Sequence, residues 1–221
     1  MKNSKISSFI DHTLLNPEAT ARDIEILCRE AIQYGFPAVC VNPYYVSRAF
    51  NILQREGVKV VSVAGFPLGA TYKEVKINEI KKAVGEGAEE IDMVMNIGAF
   101  KNKDYQWVVE EIEAAAETSE PALLKVIVET ALLDWEEKKR VCELIKKSKA
   151  SYIKTSTGLI PGGGARSEDV KLFQEILKGK KKIKASGGIR DLVYARKLLS
   201  NGADRIGSSS GIDIVLEELE E

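Results

Sequence analysis

The sequence predicts an α/β fold, a single-domain (β/α)8 TIM barrel spanning residues 1–221, and three observations predict it. Short runs rich in Val, Ile and Ala alternate with longer, Lys/Glu-rich stretches of helical period, eight of each. Strict β-then-α alternation means parallel strands joined by crossover helices. Eight units in 221 residues come to roughly 28 residues each, which fits a small barrel of this kind. A doubly wound open sheet is the alternative. It usually carries a Gly-x-Gly-x-x-Gly turn early when it binds dinucleotides, and none follows the first or second run here.

The strand-like runs are residues 9–13, 38–42, 59–63, 90–95, 123–128, 151–155, 182–186 and 204–207. Helical stretches start near Thr20, Pro43, Thr71, Asp104, Asp134, Ser167, Asp191 and Ser209. Thr20 followed by Asp23 reads as an N-cap with an acidic third residue, ahead of Ile24, Leu27 and Ala31. Gly35, Gly57, Gly87 and Gly202 stand where left-handed helix ends are expected. Cys28 and Cys142 fall in helical stretches and read as core. Runs such as Glu136-Glu137-Lys138-Lys139-Arg140 read as solvated helix faces. No linker, low-complexity tract or charge block divides the sequence.

Composition excludes several classes of function. With 44% hydrophobic and 29% charged residues the chain is globular. Lys+Arg 32 against Asp+Glu 33 gives a net charge of −1, which draws it neither to nucleic acid nor to an anionic membrane. The single histidine, His12, and three scattered cysteines argue against a metal site and against disulfides. The longest apolar stretch, 58–70, is broken by Lys59 and Ser62 and is too short to span a bilayer. The charged start Met1-Lys2-Asn3-Ser4-Lys5 has no apolar segment after it, so no signal peptide is expected and the expected address is cytoplasmic.

In a barrel of this type the active site lies at the C-terminal ends of the strands. Two consecutive strands, six and seven, end in the same pattern, Lys154-Thr155-Ser156-Thr157-Gly158 and Lys184-Ala185-Ser186-Gly187-Gly188. Alternation puts Lys154 and Lys184 on the face opposite Ile153, Ile183 and Ala185, so both lysines are expected to point into the barrel. Neighbouring parallel strands lie ~4.8 Å apart. Two adjacent cations in a partly dry site disfavour protonation, and one amine moves from ~10.4 toward neutrality. A neutral lysine beside another cation is a means of forming a Schiff base with a carbonyl. An inward cation without a partner also implies that Lys184→Leu would stop turnover without harming the fold.

On strand four Asp92, Val94 and Asn96 share the inner face, so Asp92 is expected to point across at Lys154. It could shuttle protons or form a salt bridge that only orders the core. Asp11, at the end of strand one, could orient a substrate hydroxyl or cap the next turn. Cys40, near the mouth on strand two, could meet substrate or serve as a small buried residue. Three successive loops are rich in Gly and Ser: Gly158 with Pro161-Gly162-Gly163-Gly164, Gly187-Gly188-Ile189-Arg190, and Gly207-Ser208-Ser209-Ser210 before the last helix. Backbone N–H groups and a helix N-terminus there suit a phosphate, although glycines also simply make tight turns.

The motifs Asp11-His12-Thr13-Leu14-Leu15, Ala38-Val39-Cys40-Val41-Asn42-Pro43, Val63-Ala64-Gly65-Phe66-Pro67-Leu68-Gly69, Glu90-Ile91-Asp92-Met93-Val94-Met95-Asn96-Ile97-Gly98, Lys125-Val126-Ile127-Val128-Glu129-Thr130 and the two lysine motifs occur in that order over nearly the whole chain. Together they resemble the deoxyribose-phosphate aldolase family. The resemblance implies a class I, cofactor-free and metal-free aldolase that joins acetaldehyde to glyceraldehyde 3-phosphate, giving 2-deoxyribose 5-phosphate. It implies Lys154 as the Schiff-base lysine, Lys184 as the lysine that perturbs it and Asp92 as the proton-relay acid. Substrate and phosphate contacts are expected from Asp11, Cys40, Thr157, Gly158, Gly187, Gly188, Gly207, Ser209 and Ser210. Leu159 departs from the pattern, standing where some members carry a lysine near the phosphate. Expected partners are small phosphorylated sugars and aldehydes, with homo-oligomerisation left open. A non-catalytic phosphometabolite-binding barrel and another Schiff-base aldolase on a related phosphosugar remain as alternatives.

Overall fold

A computed structural model describes residues 5–221; residues 1–4, on which the reading of the charged N-terminus rests, lie outside it. After a 3-10 turn at Ile6–Phe9 come β1 (Ile10–Leu14) and α1 (Ala21–Tyr34), then β2 (Ala38–Val41) and α2 (Val46–Leu53). β3 (Lys59–Ala64) leads to α3 (Lys73–Gly85), and β4 (Glu90–Val94) to α4 (Ile97–Lys101) and α5 (Tyr105–Ser119). β5 (Leu123–Ile127) precedes α6 (Trp135–Lys147), and β6 (Tyr152–Lys154) precedes α7 (Ser167–Leu177). β7 (Lys182–Ser186), α8 (Leu192–Ser200), β8 (Arg205–Ser208) and α9 (Gly211–Leu219) complete the order. All neighbouring strands are parallel, and β8 closes on β1 through Ile10↔Ile206 and Asp11↔Gly207. The eight-stranded barrel expected from sequence is therefore present.

Local chemistry accounts for the helix ends. Thr20 accepts from the Asp23 N–H while the Asp23 carboxylate takes the Thr20 N–H, a complete capping box. Asp134 and Glu137 repeat it at α6. Gly35 ends α1 at φ 70°, a conformation open to glycine. Gly57 differs from expectation: α2 already ends at Leu53, and Gly57 turns the chain toward β3 instead. The short α4 was not expected from periodicity. It exists because Asn96, leaving β4, accepts from the Ala99 N–H at 3.0 Å and starts a turn that buries Phe100.

The strand alternates divide the core in two. Ile91, Met93, Ile153, Ile183, Ala185 and Ile206 face outward and pack under the helices in one continuous apolar belt. Each of these isoleucine and methionine side chains, fully buried, contributes about 1.5–3 kcal/mol. Inside the barrel, only the β2–β3 side is apolar, formed by Ala38, Cys40, Val61 and Val63 with Leu15 and Phe66 over them. The remainder of the lumen holds a charged cluster with Val94, Ile127 and Tyr152 beside it.

Candidate active site

Strand pairing sets the lumen. Asp92 is level with Lys125, Lys154 with Lys184, and Lys184 with Arg205. Closure of the barrel brings their side chains together. The Nζ atoms of Lys154 and Lys184 each lie 2.7 Å from the same Asp92 oxygen, Oδ2. Lys125 Nζ donates to Asp92 Oδ1 at 2.9 Å and pairs with Glu90. Lys184 also pairs with Asp11, which is held from its other side by Arg205. Four bases thus meet three buried acids, and the partly exposed Lys59 reaches Glu90 at 3.5 Å.

Burial opposes every charge here, and the partners decide the outcome. Burial would raise the Asp92 carboxyl, but Lys125, Lys154 and Lys184 hold it well below the usual carboxylate range. Asp11 is likewise lowered despite burial, by Lys184 and Arg205. Burial works against the Lys184 ammonium, yet Asp11 and Asp92 lift it above an ordinary lysine. Lys125 is raised for the same reason, mainly by Asp92. Lys184 is therefore a compensated cation, not the bare one expected from sequence. Its removal would take one partner from Asp11 and one from Asp92, leaving Arg205 on the first and Lys125 and Lys154 on the second, so some loss of stability is expected from Lys184→Leu.

Of the seven lumen residues, Lys154 alone lines the cleft at the mouth, a space of about 180 Å³ bounded by Thr13, Asn16, Thr157, Gly158, Leu159, the 186–190 loop and Gly207 to Ser209. Thr157, Gly158, Gly187, Gly188, Gly207 and Ser209 all line this cleft. Asp11 and Cys40 do not reach the cleft: both are fully buried, Asp11 by its two cations and Cys40 in the apolar side of the lumen. Burial pushes the Cys40 thiol up to about 11, so it stays protonated and inert. Ser210 sits behind the lining as the residue before α9, its N–H donating to Ser208 Oγ at 3.0 Å. A larger groove of about 730 Å³ between α1 and α2 shares no residue with this cleft, and its Arg48 is engaged by Glu25 at 2.8 Å.

Two glycines have steric reasons. A Cβ on Gly187 would meet the Cα atoms of Gly158 and Gly164 at 3.0 Å, so the loops after β6 and β7 pack backbone to backbone. A Cβ on Gly207 would lie 3.2 Å from Lys184 Cε, so Gly207 leaves room for that side chain. Sequence reasoning missed Glu90, Lys125 and Arg205 in the lumen, and did not assign Arg190 to the cleft. Period two pointed to Glu90, two residues before Asp92, and to Arg205, which alternates with the outward Ile206. Among the described residues no three His, Cys, Asp or Glu side chains converge as metal ligands.

Comparison with known proteins matches residues 6–217 to the family model described as DeoC/LacD family aldolase. The chain is 52% identical over 214 residues to the deoxyribose-phosphate aldolase of Clostridium tetani, covering 96% of this chain and 99% of that one. It superposes with TM-score 0.95 and 41% identity on a putative deoxyribose-phosphate aldolase from Coccidioides immitis, covering 98% and 87%. The tetrameric deoxyribose phosphate aldolase of Aeropyrum pernix matches with TM-score 0.87 and 33% identity, covering 97% and 91%. A lumen of lysines around one carboxylate, opening on a glycine-lined cleft, accompanies a sequence that belongs to the DeoC/LacD family of aldolases.

Proposed function

We propose that this chain is a class I aldolase that cleaves 2-deoxy-D-ribose 5-phosphate reversibly to D-glyceraldehyde 3-phosphate and acetaldehyde, through a Schiff base on Lys154. One observation carries the assignment of the nucleophile: Lys154 is the only amine of the lumen cluster that lines the cleft. Attack needs an unprotonated amine. Lys154 is the member of the cluster placed to offer that amine to a substrate.

The Lys154 amine adds to C1 of the open-chain sugar, and loss of water leaves an iminium ion. The C3 hydroxyl gives up its proton, the C2–C3 bond breaks, and the electron pair runs into the iminium to give an enamine. Glyceraldehyde 3-phosphate departs. The enamine takes a proton at C2, and water releases acetaldehyde and the free lysine. Lys184, held charged by Asp11 and Asp92, stands beside the reacting carbon as a cation and proton donor. Asp92 holds both amines on one oxygen and relays protons between them and the substrate. The phosphate sits among Gly158, Gly187, Gly188, Gly207 and Ser209, with Ser210 behind and Arg190 at the rim.

No metal enters this chemistry, and the buried, unpaired cysteines fit a reducing cytoplasm. Among the described residues no helix is long and apolar enough to cross a membrane. The tetrameric relative supports self-association. The test is release of both products from 2-deoxyribose 5-phosphate, with and without EDTA. Equal rates are expected; no release, or a loss restored by a divalent ion, contradicts the proposal.

A further inference from the structure

Glu129 follows β5 and takes no part in the lysine cluster. Its backbone is left-handed, φ 41° and ψ 72°, a conformation that residues with a Cβ rarely hold unless their surroundings impose it. Its side chain is 1% exposed. Both hydrogen bonds that its carboxylate accepts come from one residue, Thr157, and both reach Oε2: the backbone N–H at 3.0 Å, and the hydroxyl. Oε1 is buried with no hydrogen-bond partner among the described residues. A buried carboxylate is costly without compensation, so this arrangement calls for a reason.

The reason lies in the segment Thr157-Gly158-Leu159, which walls the cleft beside Lys154. Thr157 turns its N–H inward to Glu129. The Thr157 hydroxyl gives its proton to Glu129 and accepts the Leu159 N–H at 3.2 Å. Two of the segment's three N–H groups are thereby tied down. Between them Gly158, exposed and at φ 85°, keeps an N–H with no partner within the described residues. We infer that Glu129 is a positioning residue that, through Thr157, holds this segment so that the Gly158 N–H is presented to the substrate's phosphate. Thr157 on this reading serves the loop and offers substrate no hydroxyl proton. The inference rests on the phosphate site proposed above. It matters more here because Leu159 supplies no cation beside Gly158.

The test compares 2-deoxyribose 5-phosphate with unphosphorylated 2-deoxyribose. In Glu129→Ala, KM for the phosphorylated sugar is expected to rise about tenfold or more, with kcat within about threefold. For the unphosphorylated sugar kcat/KM is expected to stay within about threefold. Glu129→Gln, which keeps an acceptor oxygen, should recover most of the KM. Thr157→Val should raise it about threefold to tenfold, and the double variant Glu129→Ala/Thr157→Val should be no worse than Glu129→Ala alone. Should Glu129→Ala fail to fold, Glu129→Gln and Thr157→Val carry the comparison. Equal losses on both sugars, or an unchanged KM in folded Glu129→Ala and Thr157→Val, would overturn the inference. Borohydride trapping of acetaldehyde on Lys154 in each variant separates this failure from failure of the imine mechanism, and a wild type indifferent to the phosphate would locate the fault in the proposed phosphate site.

Discussion

Two sets of lysines are buried with carboxylates in this protein, and they behave in opposite ways. In the lumen Asp92 is held low and Lys184 high. Outside the barrel, between α3 and α5, Lys76 and Glu111 form an equally buried pair at 2.7 Å. There burial lowers Lys76 and raises Glu111, and their mutual attraction does not offset it. The difference is the number of opposite charges. Lys76 has one close carboxylate, and its other bond goes to the Val94 carbonyl at 2.8 Å. Glu111 spends its second oxygen on the Asn96 N–H at 2.9 Å. A lone pair seldom recovers its desolvation, whereas shared partners can. The outer pair thus acts as a clamp on the end of β4, and the lumen set keeps charged groups ready beside the cleft.

Lys184→Leu should show the largest effect, because it changes the lumen's charge count and removes one cation from each of two carboxylates. Turnover at pH 7 is expected to fall about a thousandfold. Stability should drop by less than the ~3–5 kcal/mol of a pair broken outright, because Asp11 and Asp92 keep other cations. A near-normal rate at pH 7 would dissolve the contrast between the two sites.

Substitution of the outer pair should affect stability and leave chemistry alone. Lys76→Met is expected to lose about 3–5 kcal/mol in urea unfolding, and the double variant Lys76→Met/Glu111→Leu to regain most of it. Both should retain kcat per folded molecule. A double variant as unstable as the single one would mean that the pair holds β4 by more than its charges.

The lysine pair and Asp92 were legible in sequence because period two fixes the face of each strand residue, and apolar alternates such as Ile153 and Ile183 mark the outward side. The rest needed closure of the barrel. Arg205 meets Asp11 across 194 positions of sequence, and alone it reads as a solvated charge. Lys125 also follows two leucines and invites a rim reading. The Asp11 motif was visible, but its place below the mouth depends on how far β1 sits from the cleft relative to β6. Glu129 was visible as a polar strand end; its left-handed backbone, and hence its grip on Thr157, was not.

Acid titration sharpens the comparison further. The folded-state values of Asp11 and Asp92 lie below their unfolded value of ~3.9, so their stabilisation is complete above about pH 4 and is lost as pH falls through the folded values. Glu111 has the opposite sign: raised in the fold, it gains relative stability as pH falls toward its unfolded value of ~4.3. Glu111→Gln should therefore steepen the loss of stability as pH falls toward ~4.3, measured by urea midpoints. The smallest effect is expected at Cys40: Cys40→Ala should change kcat less than about threefold, and the native thiol should resist thiol reagents until the protein unfolds.

The most direct test of the contrast is where the carbon bond to nitrogen forms. Borohydride added with acetaldehyde, followed by peptide mapping, is expected to fix a two-carbon adduct on Lys154 and to leave Lys184, Lys125 and Lys76 unmodified. An adduct chiefly on Lys184, or none on any lysine, would contradict the assignment of Lys154 as the one cluster amine open to substrate.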